Sequence, residues 1–173
     1  MHQAGLRLLK VTLCATVVSL LSACGYSHQA LFPEGIRTVA VPIFENRTTH
    51  YRGLERDVTE ALIKEIETRG TSLKVVRAGD ADSIINGSII SVEQRVLSLD
   101  RVGGLPQEVE ITVILNFEWK NQRTGQTIRD RRGFATVGRY LPNRRIGESY
   151  EVGQHEAAQQ IARDIVTAMQ ANW

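Results

Sequence analysis

One stretch of the sequence, residues 108–119 (EVEITVILNFEW), alternates apolar and polar side chains almost without exception. The apolar members are Val109, Ile111, Val113, Leu115, Phe117 and Trp119. Successive side chains of a strand point to opposite faces, so this pattern predicts a strand with one buried and one polar face. Only Ile114 interrupts the polar series. The chain must therefore build a sheet that is covered on one side, which excludes an all-helical fold.

Two further strands flank this one in the sequence. Residues 83–99 and 126–137 are also rich in strand-forming residues, and short turn-like segments separate the three. Such a series predicts an antiparallel meander. Earlier in the chain, residues 36–44 and 71–76 predict two more strands. Pro42 has no backbone N–H, so it either places the first of these at a sheet edge or bends it near its end.

Two segments have the apolar spacing of amphipathic helices. In residues 52–69 the apolar positions are Leu54, Val58, Leu62 and Ile66, and in residues 149–170 they include Ala158, Ile161, Ala162, Ile165 and Met169. The first helix lies between two short strands, which predicts a parallel crossover. The element order is β-α-β-β-β-β-α. It predicts an α+β two-layer sandwich, with a mixed four- to five-stranded sheet and two helices on one face.

The chain begins with the layout of a bacterial export signal. Arg7 and Lys10 precede an uncharged apolar stretch that is too short for a membrane-spanning helix, and Leu-Ser-Ala-Cys follows. This ending resembles the bacterial lipobox, in which the cysteine thiol receives a diacylglycerol. We therefore predict that residues 1–23 are removed and that Cys24 is the lipidated anchor of a single domain, residues 24–173. The other interpretation is a buried N-terminal helix. Cys14 would be lost with the signal, leaving no cysteine pair for a disulfide.

The charge balance argues against a nucleic-acid partner. The chain has 21 Lys and Arg against 19 Asp and Glu, and loss of Arg7 and Lys10 makes the counts equal. One part is nevertheless basic, with Asp130 as the single acid between residues 120 and 145. Its basic residues are Lys120, Arg123, Arg129, Arg131, Arg132, Arg139, Arg144 and Arg145. This run is either a solvated strand face or an anion-binding surface, because arginine forks match phosphates and carboxylates.

Motifs that would indicate catalysis or a cofactor are missing from the sequence. It contains no Gly-rich phosphate loop, no paired cysteines and no His-x-x-x-His. The two aspartates of Gly79-Asp-Ala-Asp82 have no other ligand-type residues near them in the sequence, so turn chemistry explains them better than a metal site. We therefore predict a non-enzymatic protein without metal or cofactor.

Several segments together resemble the lipopolysaccharide-assembly lipoprotein (LptE) family. They are ACGY at the predicted lipidation site, IRTVAVPIFENRT, GLERDVTEALIKEIETRG and DADSIINGSI. The resemblance covers residues 24–170. It implies a lipid-anchored outer-membrane protein that faces the periplasm, and Gly25 after the cysteine is compatible with export to the outer membrane. It also implies that the protein plugs the lumen of the β-barrel protein LptD and assists its assembly. Together the two proteins would deliver lipopolysaccharide to the outer leaflet.

The resemblance also implies candidate ligand-binding residues. In the family, basic residues at the β-hairpin tip and before the last helix are candidates for lipopolysaccharide contact. The matching positions are Arg101 in the first turn of the meander and Arg144 or Arg145 in the loop before the second helix. The match is loose, because the tip reads Arg-Val-Gly-Gly-Leu-Pro and the loop carries two adjacent arginines. Solvated loop arginines are the alternative.

A different class of function remains open. Small outer-membrane lipoproteins also act as activators of cell-wall synthases or as accessory parts of secretion pores. Such proteins usually carry a long flexible linker after the lipidated cysteine. Here about eleven residues precede the first predicted strand, and at ~3.5 Å each they span under ~40 Å. The domain is therefore expected to work close to its membrane, which favours a barrel partner.

Overall fold

The computed structural model describes residues 32–33, 35–69, 73–99, 104, 106–141 and 150–170. The chain divides into two units, Met1–Ala30 and Leu31–Trp173, and all that follows concerns the second. The predicted signal segment and the four predicted site residues lie outside the described residues. Those site residues are Cys24, Arg101, Arg144 and Arg145.

The described chain forms one mixed sheet and two long helices. In order, the elements are β1 (Thr38–Ala40), β2 (Glu45–Asn46), α1 (Leu54–Arg69), β3 (Lys74–Val75), a 3₁₀ turn (Ala78–Asp80), β4 (Ser83–Leu99), β5 (Pro106–Asn121), β6 (Thr127–Tyr140) and α2 (Tyr150–Gln170). The strands lie in the order β3-β1-β4-β5-β6, and β2 pairs with β4. This confirms the α+β sandwich. The sheet has six strands rather than the four to five predicted.

The additional strand arises because the predicted strand at residues 36–44 is interrupted around Pro42. Residues 41–44 are not in a strand, and the two halves, β1 and β2, pair with β4 in parallel at Val39↔Ser83 and Glu45↔Ser88. β1 lies between β3 and β4, so an edge position for Pro42 is wrong and an interruption of the strand is what occurs. β1 also pairs in parallel with β3, which confirms the predicted crossover.

Strands β4, β5 and β6 form the predicted antiparallel meander. The six apolar residues of β5 are all buried, as the alternation predicted. Two irregularities in β4 shift its pairing with β5, at Ile90 and between Val96 and Leu99. A third lies in β6, where Gly133 has a φ of 62° that a glycine adopts without steric cost.

Both helices cover the same face of the sheet and enclose the core with it. The core-facing positions predicted for α1 (Leu54, Val58, Leu62 and Ile66) are all buried, and so are those predicted for α2. The helices run parallel, since Gln154 Nε2 donates to Asp57 Oδ2 at one end and Arg69 donates to Thr167 at the other. Neither helix is long and apolar enough to cross a membrane, within the part of the chain that the structure describes.

Asp82 ties β1 to the start of β4. Its Oδ2 accepts hydrogen bonds from the backbone N–H of Arg37 and Thr38, each at 3.1 Å, and from Thr38 Oγ1 at 2.9 Å. Arg123 approaches the other carboxylate oxygen at 3.1 Å. The Arg37 N–H, with help from Thr38, lowers the pKa of Asp82 below its ordinary value. The carboxylate therefore serves strand pairing rather than metal binding.

Candidate functional site

The face of the sheet opposite the helices is the largest surface in the described chain that no other element covers. On β5 it presents the residues that alternate with the buried ones. These are Glu108, Glu110, Thr112, Ile114, Asn116 and Glu118. Neighbouring residues of β4 and β6 extend the surface on either side through their register with β5. We call this surface the open face.

A row of alternating charges crosses the open face near the end where β4 leads into β5. Arg95 of β4 contacts Glu110 of β5 at 2.8 Å. Arg139 of β6 lies 3.7 Å from Glu110 and 4.0 Å from Glu108. The Arg95 and Arg139 side chains are 73% and 64% exposed, whereas Glu110 is only 12% exposed. The two arginines therefore cover a carboxylate and still present most of their own surface outward.

A second polar group occupies the opposite end of the open face. Glu118 accepts hydrogen bonds from Thr127 Oγ1 at 2.7 Å and from Lys120 Nζ at 3.0 Å. The Thr127 hydroxyl and the Lys120 ammonium lower the pKa of Glu118. On β6, Arg132 lies 3.4 Å from Asp130. Each of these carboxylates thus has a cation beside it.

Between this group and β2 lies a shallow depression of about 230 Å³. Glu45 and Arg47 form its rim and contact each other at 2.8 Å, and this hydrogen bond lowers the pKa of Glu45. Asn116 in its floor accepts a hydrogen bond from the Gly133 N–H through Oδ1. The described residues contain no cluster of His, Cys, Asp and Glu suited to a metal ion. The depression is polar and charge-balanced, which fits a protein contact better than catalysis.

The middle and the β4–β5 end of the open face are more apolar than the sequence analysis expected. Val137 of β6 lies opposite Thr112 and is 43% exposed. Near the end where the charge row lies, Val96, Leu97, Leu99 and Leu141 are 47%, 38%, 58% and 55% exposed. Exposed aliphatic groups gathered at one end of a domain are typical of an interaction surface.

The basic run predicted at residues 120–145 is largely neutralised in the structure. Among its described members, Lys120, Arg123, Arg132 and Arg139 each contact a carboxylate. These contacts favour a solvated, charge-paired face over an anion-binding one for this part of the run. The sequence could not separate the two interpretations, because the acidic partners come from other strands.

The predicted lipopolysaccharide contacts fall in two connections that leave the sheet at one end. Arg101 follows β4, whose last residue, Leu99, pairs with Pro106. Arg144 and Arg145 follow β6, whose last residue pairs with Val109 of β5. The strands before the two connections thus end three positions apart along β5. Arg95 and Arg139, which sequence reasoning missed as a pair, lie at the same end, and counting the hairpin register from the turn would have placed Arg95 opposite Glu110.

Comparison with known proteins agrees with this architecture. A protein from Xanthomonas campestris has a similar crystal structure, with a TM-score of 0.52 and 13% identity over 80% of this chain and 87% of that one. A hypothetical protein from Chlamydia trachomatis gives a TM-score of 0.50 and 10% identity over 78% of this chain and 98% of that one. At these identities the likeness concerns the fold alone. No curated protein sequence is similar enough to count as a match.

The family comparison is more specific than the structural one. The model of the family described as "LptE: Lipopolysaccharide-assembly" matches residues 36–169, which run from just before β1 to the last turn of α2. The match therefore includes every strand and both helices. The chain belongs to the LptE lipopolysaccharide-assembly family.

Proposed function

We propose that this protein is an outer-membrane lipoprotein, anchored through Cys24, that plugs the lipopolysaccharide-translocating β-barrel LptD and assists its assembly. The observation that carries the proposal is the family match over the whole folded domain. The role is one of binding and assembly rather than enzymatic chemistry, and it requires no cofactor.

The open face supplies a surface suited to such a partner. The interior wall of a large barrel is polar, so a plug must offer polar groups without burying unpaired charges. On the open face, Glu110 and Glu118 each contact at least one cation. A surface of paired charges can lie against a polar wall with a smaller desolvation cost than one of isolated charges. We infer that the open face lies against the lumen wall.

The lipopolysaccharide contacts are assigned to Arg101, Arg144 and Arg145. Arg95 and Arg139 lie at the same end of the sheet but are already engaged with Glu110. The loop arginines would add cations for lipid A phosphates, which arginine binds in a bidentate manner. The exposed Leu99 and Leu141 beside these loops would offer apolar contact to acyl chains.

The partner is tested by purifying the lipidated protein from detergent-solubilised outer membranes and identifying the co-purifying proteins by mass. We expect a large β-barrel at a ratio near one to one. A cell-wall synthase or a secretion pore in its place would support the other function class and refute the plug. Recovery of the protein alone would also refute it.

The ligand assignment is tested with Arg101→Glu combined with Arg144→Glu. We expect weaker binding of purified lipopolysaccharide at low salt, since charge attraction is screened as salt rises. The charge-matched control is Arg56→Glu with Arg77→Glu, two exposed positions on α1 and beside β3. Equal affinity of the two double variants would return Arg101 and Arg144 to the class of solvated loop residues.

A further inference from the structure

The second half of β4 has no strand on its outer side within the described part of the chain. β2 pairs with β4 only at Ser88 and Ile89, and the last bond of that ladder runs from the Arg47 N–H to the Ile89 carbonyl. From Ser91 onward, β4 pairs with β5 alone. The backbone groups on its other side are therefore available to a further strand.

This edge lacks most of the features that keep sheet edges from pairing. Proteins protect such edges with proline, short strands, bulges or a covering element. Here the irregularities fall at Ile90 and after Val96, so residues 92–96 are regular. The segment contains no proline, and Val96 is 47% exposed. Its two charges, Glu93 and Arg95, have opposite signs and lie on the open face, where they pair with Thr112 and Glu110.

We propose that a second copy of this chain pairs with this edge, antiparallel, about a two-fold axis at Gln94. In that register Glu93 of each copy lies opposite Arg95 of the other, and Val92 lies opposite Val96. Opposite charges across a strand pair are favourable, and so are two β-branched residues. The proposal does not rest on the barrel partnership.

Alternative registers are disfavoured by charge. Side chains must stay on their own face, so the register can move only in steps that keep this alternation. An axis at Glu93 would place the two Glu93 carboxylates opposite each other, and an axis at Arg95 would do the same with two guanidinium groups. Like charges directly opposite are destabilising. The axis at Gln94 is the one of the three that pairs opposite charges.

The two-fold pairing would also extend the charge row already described. Arg139, Glu110 and Arg95 alternate in sign across one copy. Glu93 of the second copy would follow Arg95 and continue the alternation. Glu93 has no ion pair within the described residues of its own chain, so this contact would not displace another. The apolar Val92 and Val96 would be covered on the opposite face.

The test uses the full-length lipidated protein in its own membrane, with Gln94→Cys and a short bis-maleimide reagent. We expect a covalent dimer on a denaturing gel. Ala135→Cys is the matched control, because it is exposed on β6, away from the proposed axis. The wild-type chain gives the background from its own cysteines. Equal yields for Gln94→Cys and Ala135→Cys would overturn the proposal.

Charge exchange then tests the register. In the Gln94→Cys background, Glu93→Arg places two cations opposite each other, and Arg95→Glu places two anions. We expect each variant to lose most of its self-cross-linking, by about tenfold, which corresponds to about 1.4 kcal/mol. Co-expressed with different tags, the two variants restore both opposite-charge pairs and should cross-link to each other. If mixed dimers are no more abundant than either self-dimer, the proposed register is wrong.

Discussion

Replacing Gly87 by alanine tests the tight contact between β4 and the Phe44 ring. A Cβ at Gly87 would lie 2.1 Å from Cε2 of Phe44 and 2.4 Å from two other ring atoms. Ordinary contacts begin at 3.4 Å, so the ring would have to retreat by more than about 1 Å in a close-packed interior. The ring is 3% exposed. Its backbone N–H is held by Thr59 Oγ1 at 3.1 Å, so the whole residue cannot move aside freely.

The size of the effect follows from the lack of free space. Overpacking a core by one methyl group typically costs about 1–3 kcal/mol, and a required shift this large places Gly87→Ala in the upper half of that range. In a domain of this size we expect the midpoint of thermal unfolding to fall by roughly 5–10 °C. The measurement is the free energy of unfolding from urea denaturation followed by circular dichroism.

A matched control separates the clash from the general effect of replacing glycine. At Gly79, an added Cβ would meet no atom within 4 Å, so Gly79→Ala should stay within about 0.5 kcal/mol of the wild type. Phe44→Leu should cost less in the Gly87→Ala background than in the wild type, because the smaller side chain relieves the clash. Gly87→Ala as stable as Gly79→Ala would refute the packing argument.

Three further predictions concern other parts of the chain. Gly138→Ala should destabilise the protein by about 2 kcal/mol and loosen α2, since its Cβ would lie 2.7 Å from the Ala157 Cα; hydrogen exchange in α2 measures this, and unchanged exchange would contradict it. Asp82→Asn should lower stability at neutral pH. The folded pKa of Asp82 lies below its ordinary 3.8, so the wild-type advantage should be present above that value and disappear as the pH falls through the folded pKa. A constant difference in urea midpoint down to the acid limb would contradict this linkage. Cys24→Ala should leave an unprocessed or mislocalised protein, and normal outer-membrane retention on fractionation would rule out the anchor.

Local periodicity was enough to predict the layers of the fold. The alternation in β5 and the helical spacing of α1 depend on neighbouring residues alone, and both correspond to buried faces in the structure. The interruption near Pro42 required more, because both halves of the broken strand find the same partner, β4, at separate positions. The irregularity at Ile90 likewise depends on how β4 and β5 align rather than on either sequence.

The charged surface was less accessible to sequence reasoning. The run from Lys120 onward looked like a concentration of positive charge along the chain. In the sheet, Arg139 lies beside Glu110 and Arg123 beside Asp82, so the local charge is close to balanced. Cross-strand neighbours are set by register, which the sequence does not state directly. Family resemblance, rather than charge, selected Arg101, Arg144 and Arg145 as candidate contacts.

The mixed direction of the strands has a consequence for how the chain folds. Neighbours in the β4–β5–β6 meander are joined by short connections, whereas Thr38 of β1 bonds to a residue 44 positions away. Closing the longer loop costs more entropy before any contact is gained. We therefore expect the meander to form in the folding transition state and β1 to join afterwards. Amides of β1 would then exchange faster than those of β5. The segment nearest the predicted anchor would be the last part of the domain to become fixed and the first to open.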